Sequence, residues 1–114
     1  MKWHKKQSKM DKKEILEYFN GKFGTCITSR MRKLEEEFKE LKEESESDAF
    51  KEGESYEDFV DEVADLNGVL FHIAGILGFS QDDLLAMCVD KVRGREKDPN
   101  YKRKHPHVRN IGAE

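Results

Sequence analysis

From Thr25 to Glu44 the chain has no glycine or proline, and Ile27, Met31, Leu34, Phe38 and Leu41 recur at spacings of four, three, four and three. That period predicts an amphipathic helix over 25–44 with this stripe packed. Ahead of it, Ile15, Leu16 and Phe19 share one side of residues 10–19, a short helix that the glycine-containing NGKFG run at 20–24 is expected to break. The polar ESESDAFKEGES that follows reads as a linker with room for one helical turn. Ser55 followed by Asp58 resembles a capping box, with Asp where Glu or Gln is preferred. The next helix is therefore expected to start near Tyr56 and run to Leu77, with Gly78 as its C-terminal stop. Ser80 and Asp83 repeat the capping pattern and open a last helix, QDDLLAMCVDKVRGRE, whose apolar side is Leu84, Leu85, Met87 and Cys88. No segment favours a strand and no internal repeat is visible. The expected fold is all-α, a small four-helix-type bundle completed by homo-oligomerisation.

Composition sharpens this picture. With 114 residues the chain has length for one domain. Its 36% hydrophobic and 39% charged residues are unusually polar for a compact monomer, which gains by burying further surface in an oligomer. The longest apolar run, 68–77, is far short of the roughly 20 residues of a membrane span, and the lysine-rich start is not followed by an apolar secretory segment. Cys26 and Cys88 stand far apart among apolar neighbours, which suggests buried thiols in a reducing compartment. A cytoplasmic protein without membrane association is the expectation.

The net charge of −3 conceals a lopsided distribution. Residues 1–9 form a basic tail, 10–95 the helical domain with its acidic middle, and 96–114 a polar, basic arm with two prolines. The negative total and the absence of a recognised binding motif argue against nucleic acid as a partner.

The acidic middle is organised. Glu37 and Glu40 lie three apart and flank the Leu34–Phe38–Leu41 stripe, at the rim of the packed face. Glu62 and Asp65 also lie three apart, and their side of the helix continues through Val69, His72 and Ile76. If the two helices pack antiparallel through the 45–55 linker, these four carboxylates face one another. Either acidic pair alone is common on a solvated helix face. Two pairs, each beside an apolar stripe on helices joined by a short linker, are far more specific. Clustered carboxylates repel unless a divalent cation neutralises them. Ligation by oxygen alone selects a hard ion, Mg²⁺ or Mn²⁺.

The segments EEFKE at 36–40 and EVAD at 62–65 resemble the EExxE…ExxD signature of the MazG-like all-α nucleoside triphosphate pyrophosphohydrolases. GVLFHIAGILGFSQDDLLAMCVDKVRGR is similar to the family's third helix, glycine turn and fourth helix. The resemblance spans about 27–95 at the level of motifs. It implies Mg²⁺-dependent hydrolysis of a nucleoside triphosphate to monophosphate and pyrophosphate by a homodimer or homotetramer. Matched by position, Glu37, Glu40, Glu62 and Asp65 are the metal ligands, and Glu36 has at most a supporting role. Glu37 or Glu40 accepts the proton of the attacking water, and Lys91 and Arg95, with Arg93 as substitute, bind the phosphates. Asn100, Tyr101, Lys102 and Arg103 are candidates for the base and further phosphate contacts.

Two rival readings follow from the same residues. A di-iron carboxylate bundle needs Glu-x-x-His pairs. The residues three before His4, His72, His105 and His107 are Met1, Val69, Lys102 and Lys104, so that chemistry is not encoded, and His72 reads as a core histidine. A non-enzymatic helical dimer or adaptor with an acidic interaction face is the alternative. It expects carboxylates that are exposed and indifferent to Mg²⁺.

Overall fold

The computed structural model describes residues 10–53 and 56–100. Over these residues the chain is all-α: α1 (Lys12–Phe23), α2 (Ile27–Ser45), a single turn α3 (Asp48–Lys51), α4 (Tyr56–Ile76) and α5 (Gln81–Glu96). The basic tail at 1–9, the expected cap at Ser55, and Tyr101, Lys102, Arg103, His105 and His107 of the C-terminal arm lie outside the described residues. Residues up to Gly78 form one compact unit and those from Phe79 onward another. No single helix among the described residues is long and apolar enough to cross a membrane.

In the first unit α1 starts at Asp11, whose side chain accepts from the Glu14 amide at 2.8 Å and satisfies one of the helix's orphan donors. The helix does not break at Asn20–Gly21, as the sequence pattern suggests, but continues to Phe23 and stops at Gly24, whose φ of 77° suits glycine. A helical glycine costs about 1 kcal/mol relative to alanine. Here the extra turn is repaid by tertiary contacts. Asn20 hydrogen-bonds His72 at 2.9 Å, and Phe23 packs beside the same imidazole with ring centroids 6.3 Å apart.

Helices α2 and α4 form the main packed pair, and their mutual electrostatics give the direction. Arg30 acts on His72, Glu37 on Asp65 and Glu40 on Glu62, so each step forward along α2 is met by a step back along α4. The pair is antiparallel, as expected. The turn α3, capped by Ser47, inserts Phe50 against Phe59 and Tyr56 at centroid distances of 4.6 and 5.6 Å, tying the connection to the start of α4. Helix α1 lies on the other end of α4. Phe19 meets Phe71 edge-on at 6.2 Å, and Leu16 covers Gly75.

Helix α2 is rotated relative to its hydrophobic stripe. Ile27, Leu34 and Leu41 are half-buried as expected, but Met31 and Phe38 are exposed, while Arg30 and Glu37 are buried. The packed seam is therefore Ile27–Arg30–Leu34–Glu37–Leu41, which keeps the helical spacing but places two charged residues inside. Polarity alone could not reveal this, because the partner surface is itself polar: Phe23 and His72 face Arg30, and the α4 carboxylates face Glu37. On α4 the expected side is buried at Val69 and His72, with Ile76 half-buried. Val69 and Ala74 are the fully buried apolar residues among those described. Cys26 is exposed rather than buried because it occupies the N-cap of α2, off the packed face.

The second unit is α5, opened by the expected reciprocal box. Ser80 Oγ accepts from the Asp83 amide and Asp83 accepts from the Ser80 amide, both at 3.0 Å, and hydrogen bonds from Ser80, the backbone one first, hold the Asp83 carboxyl below its ordinary range. The helix runs through Gly94 without interruption. Its expected apolar side, Leu84, Leu85, Met87 and Cys88, is exposed, so Cys88 is also a correction to the buried-thiol expectation.

Two glycines of like helical position should respond oppositely to alanine. A Cβ at Gly75 collides with Leu16, so Gly75→Ala is expected to destabilise the first unit, the overpacking cost of about 1–3 kcal/mol exceeding the helix-propensity gain. Nothing lies within 4 Å of a Cβ at Gly94, so Gly94→Ala is expected to stabilise by about 0.5–1 kcal/mol. Chemical denaturation of the two variants measures both signs.

Candidate metal and anion site

The carboxylates converge where α2 and α4 face one another. One oxygen from each of Glu37, Glu40 and Glu62 can be chosen so that all three lie within 4.8 Å of one another. The i, i+3 spacing puts the first two on one side of α2, and antiparallel packing brings Glu62 opposite Glu40. Glu37 is only 5% exposed, inside the seam rather than at its rim, Glu62 is half-buried and Glu40 is exposed. Asp65 sits beside Glu37 on an adjoining cleft and is exposed to solvent. Glu36 points outward, its side chain 61% exposed, consistent with no direct part.

The electrostatics are those of an under-compensated cluster. Partial burial raises the Glu62 carboxyl above its ordinary range, and the nearby charges of Glu40, Asp65 and Glu37 raise it further. The direct approach of the Glu40 side chain adds to the same upward push on Glu62. Asp65 is raised by desolvation and then by Glu37 and Asp61, with Lys33 opposing. Lys33 Nζ lies 3.1 Å from Glu37 Oε1 and 3.7 Å from Glu36 Oε2, and its own pKa rises through the bond to Glu37. Glu37 Oε2 and Glu62 Oε2 remain buried without a hydrogen-bond partner. Two orphaned carboxylate oxygens in an all-oxygen set fit a hard divalent cation.

A cleft of about 300 Å³ opens beside this cluster between α1, α2 and α4. Phe19 and Phe23 wall one end, Glu37 and Asp65 the other, with Arg30 and Lys33 between them and Gly68 in the wall formed by α4. Arg30, Phe23 and Lys33 carry no motif and were not singled out by sequence, and Phe19 was read only as part of an apolar helix side. The one signal available was register: Arg30 and Glu37 follow the three-and-four spacing of the packed seam. His72 is the expected core histidine, fully buried, its Nε2 bonded to Asn20, though its Nδ1 has no partner. Burial lowers its pKa and the Arg30 charge lowers it further, so the ring is neutral. Lys91, Arg93 and Arg95 are exposed residues of α5, in the second unit.

Comparison with known proteins yields no match: no family model, no curated protein and no solved structure matches the chain. The resemblance to MazG-like enzymes rests on the motif residues themselves.

The raised carboxyls fix a sign for pH dependence. The unfolded chain releases these protons first, at about pH 4, so their contribution to stability falls as pH climbs through the raised folded values and is level above them. Without divalent ions, Glu62→Gln should match wild type near pH 4 and become the more stable protein towards pH 7–8. Mg²⁺ added at pH 7.5 should raise the Tm of wild type and raise that of the variant less. Thermal melts across pH, with EDTA or with Mg²⁺, give both comparisons. A variant less stable than wild type at neutral pH in EDTA contradicts the repulsive cluster.

Proposed function

We propose that this chain is a Mg²⁺-dependent nucleoside triphosphate pyrophosphohydrolase of the MazG-like class, acting in the cytoplasm as a homodimer or homotetramer. The observation that carries this reading is the approach of Glu37, Glu40 and Glu62 from two antiparallel helices to within 4.8 Å. Glu37, Glu40 and Glu62 would hold the ion, with Asp65 completing the set from the cleft side. Bound there, Mg²⁺, or Mn²⁺ in its place, supplies Lewis-acid polarisation of phosphate oxygens and a water of lowered pKa.

The protein's own groups supply the rest. Glu40, the exposed member, has room to accept the proton of a water that adds across the α–β anhydride, giving monophosphate and pyrophosphate. Lys33 pairs with Glu37 at 3.1 Å beside the cleft, where its ammonium would also be within the reach of the substrate's phosphates. Phe19 and Phe23 shield one end of the cleft from water. Lys91 and Arg95, with Arg93 as substitute, remain the proposed phosphate-binding residues of α5.

Self-association is supported by what remains uncovered. On α4, Val60, Val63, Leu70 and Leu77 are exposed at heptad-like spacing, and Met31 and Phe38 are exposed seven apart on α2. The adaptor alternative expects an exposed acidic face, and burial of Glu37 to 5% weighs against it.

Incubation with a panel of ribo- and deoxynucleoside triphosphates and Mg²⁺ is expected to release monophosphate and pyrophosphate, with no turnover in EDTA. Glu37→Gln and Glu40→Gln should each lower kcat by roughly 10²-fold or more, the usual size of a general-base contribution, while remaining folded. Release of diphosphate and inorganic phosphate, or a Glu37→Gln enzyme of normal rate, overturns the assignment.

A further inference from the structure

Arg30 is a buried charge with no ion-pair partner among the described residues. It is 7% exposed, its Nε is buried with no hydrogen-bond partner, and no described carboxylate lies within 4 Å of its guanidinium. Its guanidinium carbon instead stands 4.5 Å from the centroid of the Phe23 ring, and it shares a wall of the 300 Å³ cleft with Lys33 and Glu37. A cation–π contact offsets only part of the cost of burying a cation. His72 offers no compensating charge: burial lowers its pKa, and the Arg30 charge lowers it further. The pocket thus holds a fixed positive charge whose Nε lacks a partner, with the carboxylates of the lining, Glu37 and Asp65, further along the cleft.

We infer that Arg30 is an anion-binding residue of this cleft, donating to the phosphate oxygens of a polyphosphate ligand whose far end lies towards Glu37. Arg30 and Glu37 are two helical turns apart, about 10 Å along the axis, a separation that suits an extended chain of phosphates rather than one small anion. A guanidinium preset on an aromatic ring loses little freedom on binding and offers a planar fork to the phosphate. The assignment builds on the cleft as a polyphosphate site but not on hydrolysis or on metal.

Inorganic tripolyphosphate in EDTA is the probe, because it tests anion binding without metal, base or turnover. The full-length wild-type chain is expected to bind it, with calorimetry giving Kd and melting curves showing stabilisation. Arg30→Met, which keeps the stem against Phe23, should weaken binding roughly 10- to 100-fold, the size of one charged hydrogen bond. With no ligand it should melt no lower than wild type, since it removes an uncompensated buried charge. Arg30→Lys should fall between the two. Tripolyphosphate bound equally by wild type and Arg30→Met overturns the inference even if the enzyme hydrolyses nucleotides. Arg30-dependent binding in a chain with no hydrolytic activity upholds it while removing the enzymatic reading. Should Arg30→Met fail to fold, the wild-type Arg30 Nε–H resonance, assigned with Arg30→Lys, decides: a shift on adding tripolyphosphate supports the contact and an unmoved resonance refutes it.

Discussion

The arrangement depends on one electrostatic constraint: three carboxylates are gathered within 4.8 Å where two antiparallel helices meet, one of them almost wholly buried. Like charges that close, away from bulk water, repel by more than thermal energy. The chain meets this repulsion only in part. Lys33 takes one oxygen of Glu37, while burial and the neighbouring carboxylates still push the Glu62 carboxyl above its ordinary range. The ion pair is reversible, since a stronger cation displaces it. Fixed neutralisation, such as an arginine locked bidentately onto Glu37, would have sealed the cluster. The orphaned oxygens of Glu37 and Glu62 show that it is not sealed.

The charges also have an order along the seam. Moving forward along α2 the inward residues are Arg30, then Lys33, then Glu37, and α4 answers with His72 opposite the first and Asp65 opposite the last. One end of the seam is therefore cationic and aromatic, the other anionic. A metal ion alone would need only the anionic end, and a simple anion only the cationic one. A ligand that brings both, a metal-bound polyphosphate, satisfies the two ends together. Lys33, lying between them, pairs with Glu37.

How much of this was legible before the structure follows from what periodicity measures. Hydrophobic spacing finds helices whose buried face is apolar, and it placed α4, α5 and the glycine stop at Gly78 to within a residue. The Ser80–Asp83 box was legible because capping is local chemistry. The pairing of the two acidic motifs was legible because antiparallel packing through a short connection leaves few registers. The seam of α2 was not: Arg30 and Glu37 are buried by a partner surface that is polar at the matching heights, and no property of α2 alone encodes that. The continuation of α1 through Gly21 escaped for the same reason, since Asn20 and Phe23 gain their energy from His72, some fifty residues away. The exposure of Cys26 reflects its place at a helix end, where an apolar neighbourhood in sequence is not one in space.

A polar seam has a consequence for packing. With Arg30, Glu37 and His72 inside, the first unit keeps little room for aliphatic core, and only Val69 and Ala74 are fully buried apolar residues among those described. A bundle selected for stability alone would place leucine at positions 30 and 37 and close the seam, as buried ion sets replaced by well-packed apolar groups often do. Such a sequence would lose both ends of the cleft. The apolar surface that the seam cannot bury is found instead on the outer faces, at Val63, Leu70 and Leu77 of α4 and Phe38 of α2. Burying those faces against a second copy would supply, outside the site, the hydrophobic stabilisation that the site displaces from the interior.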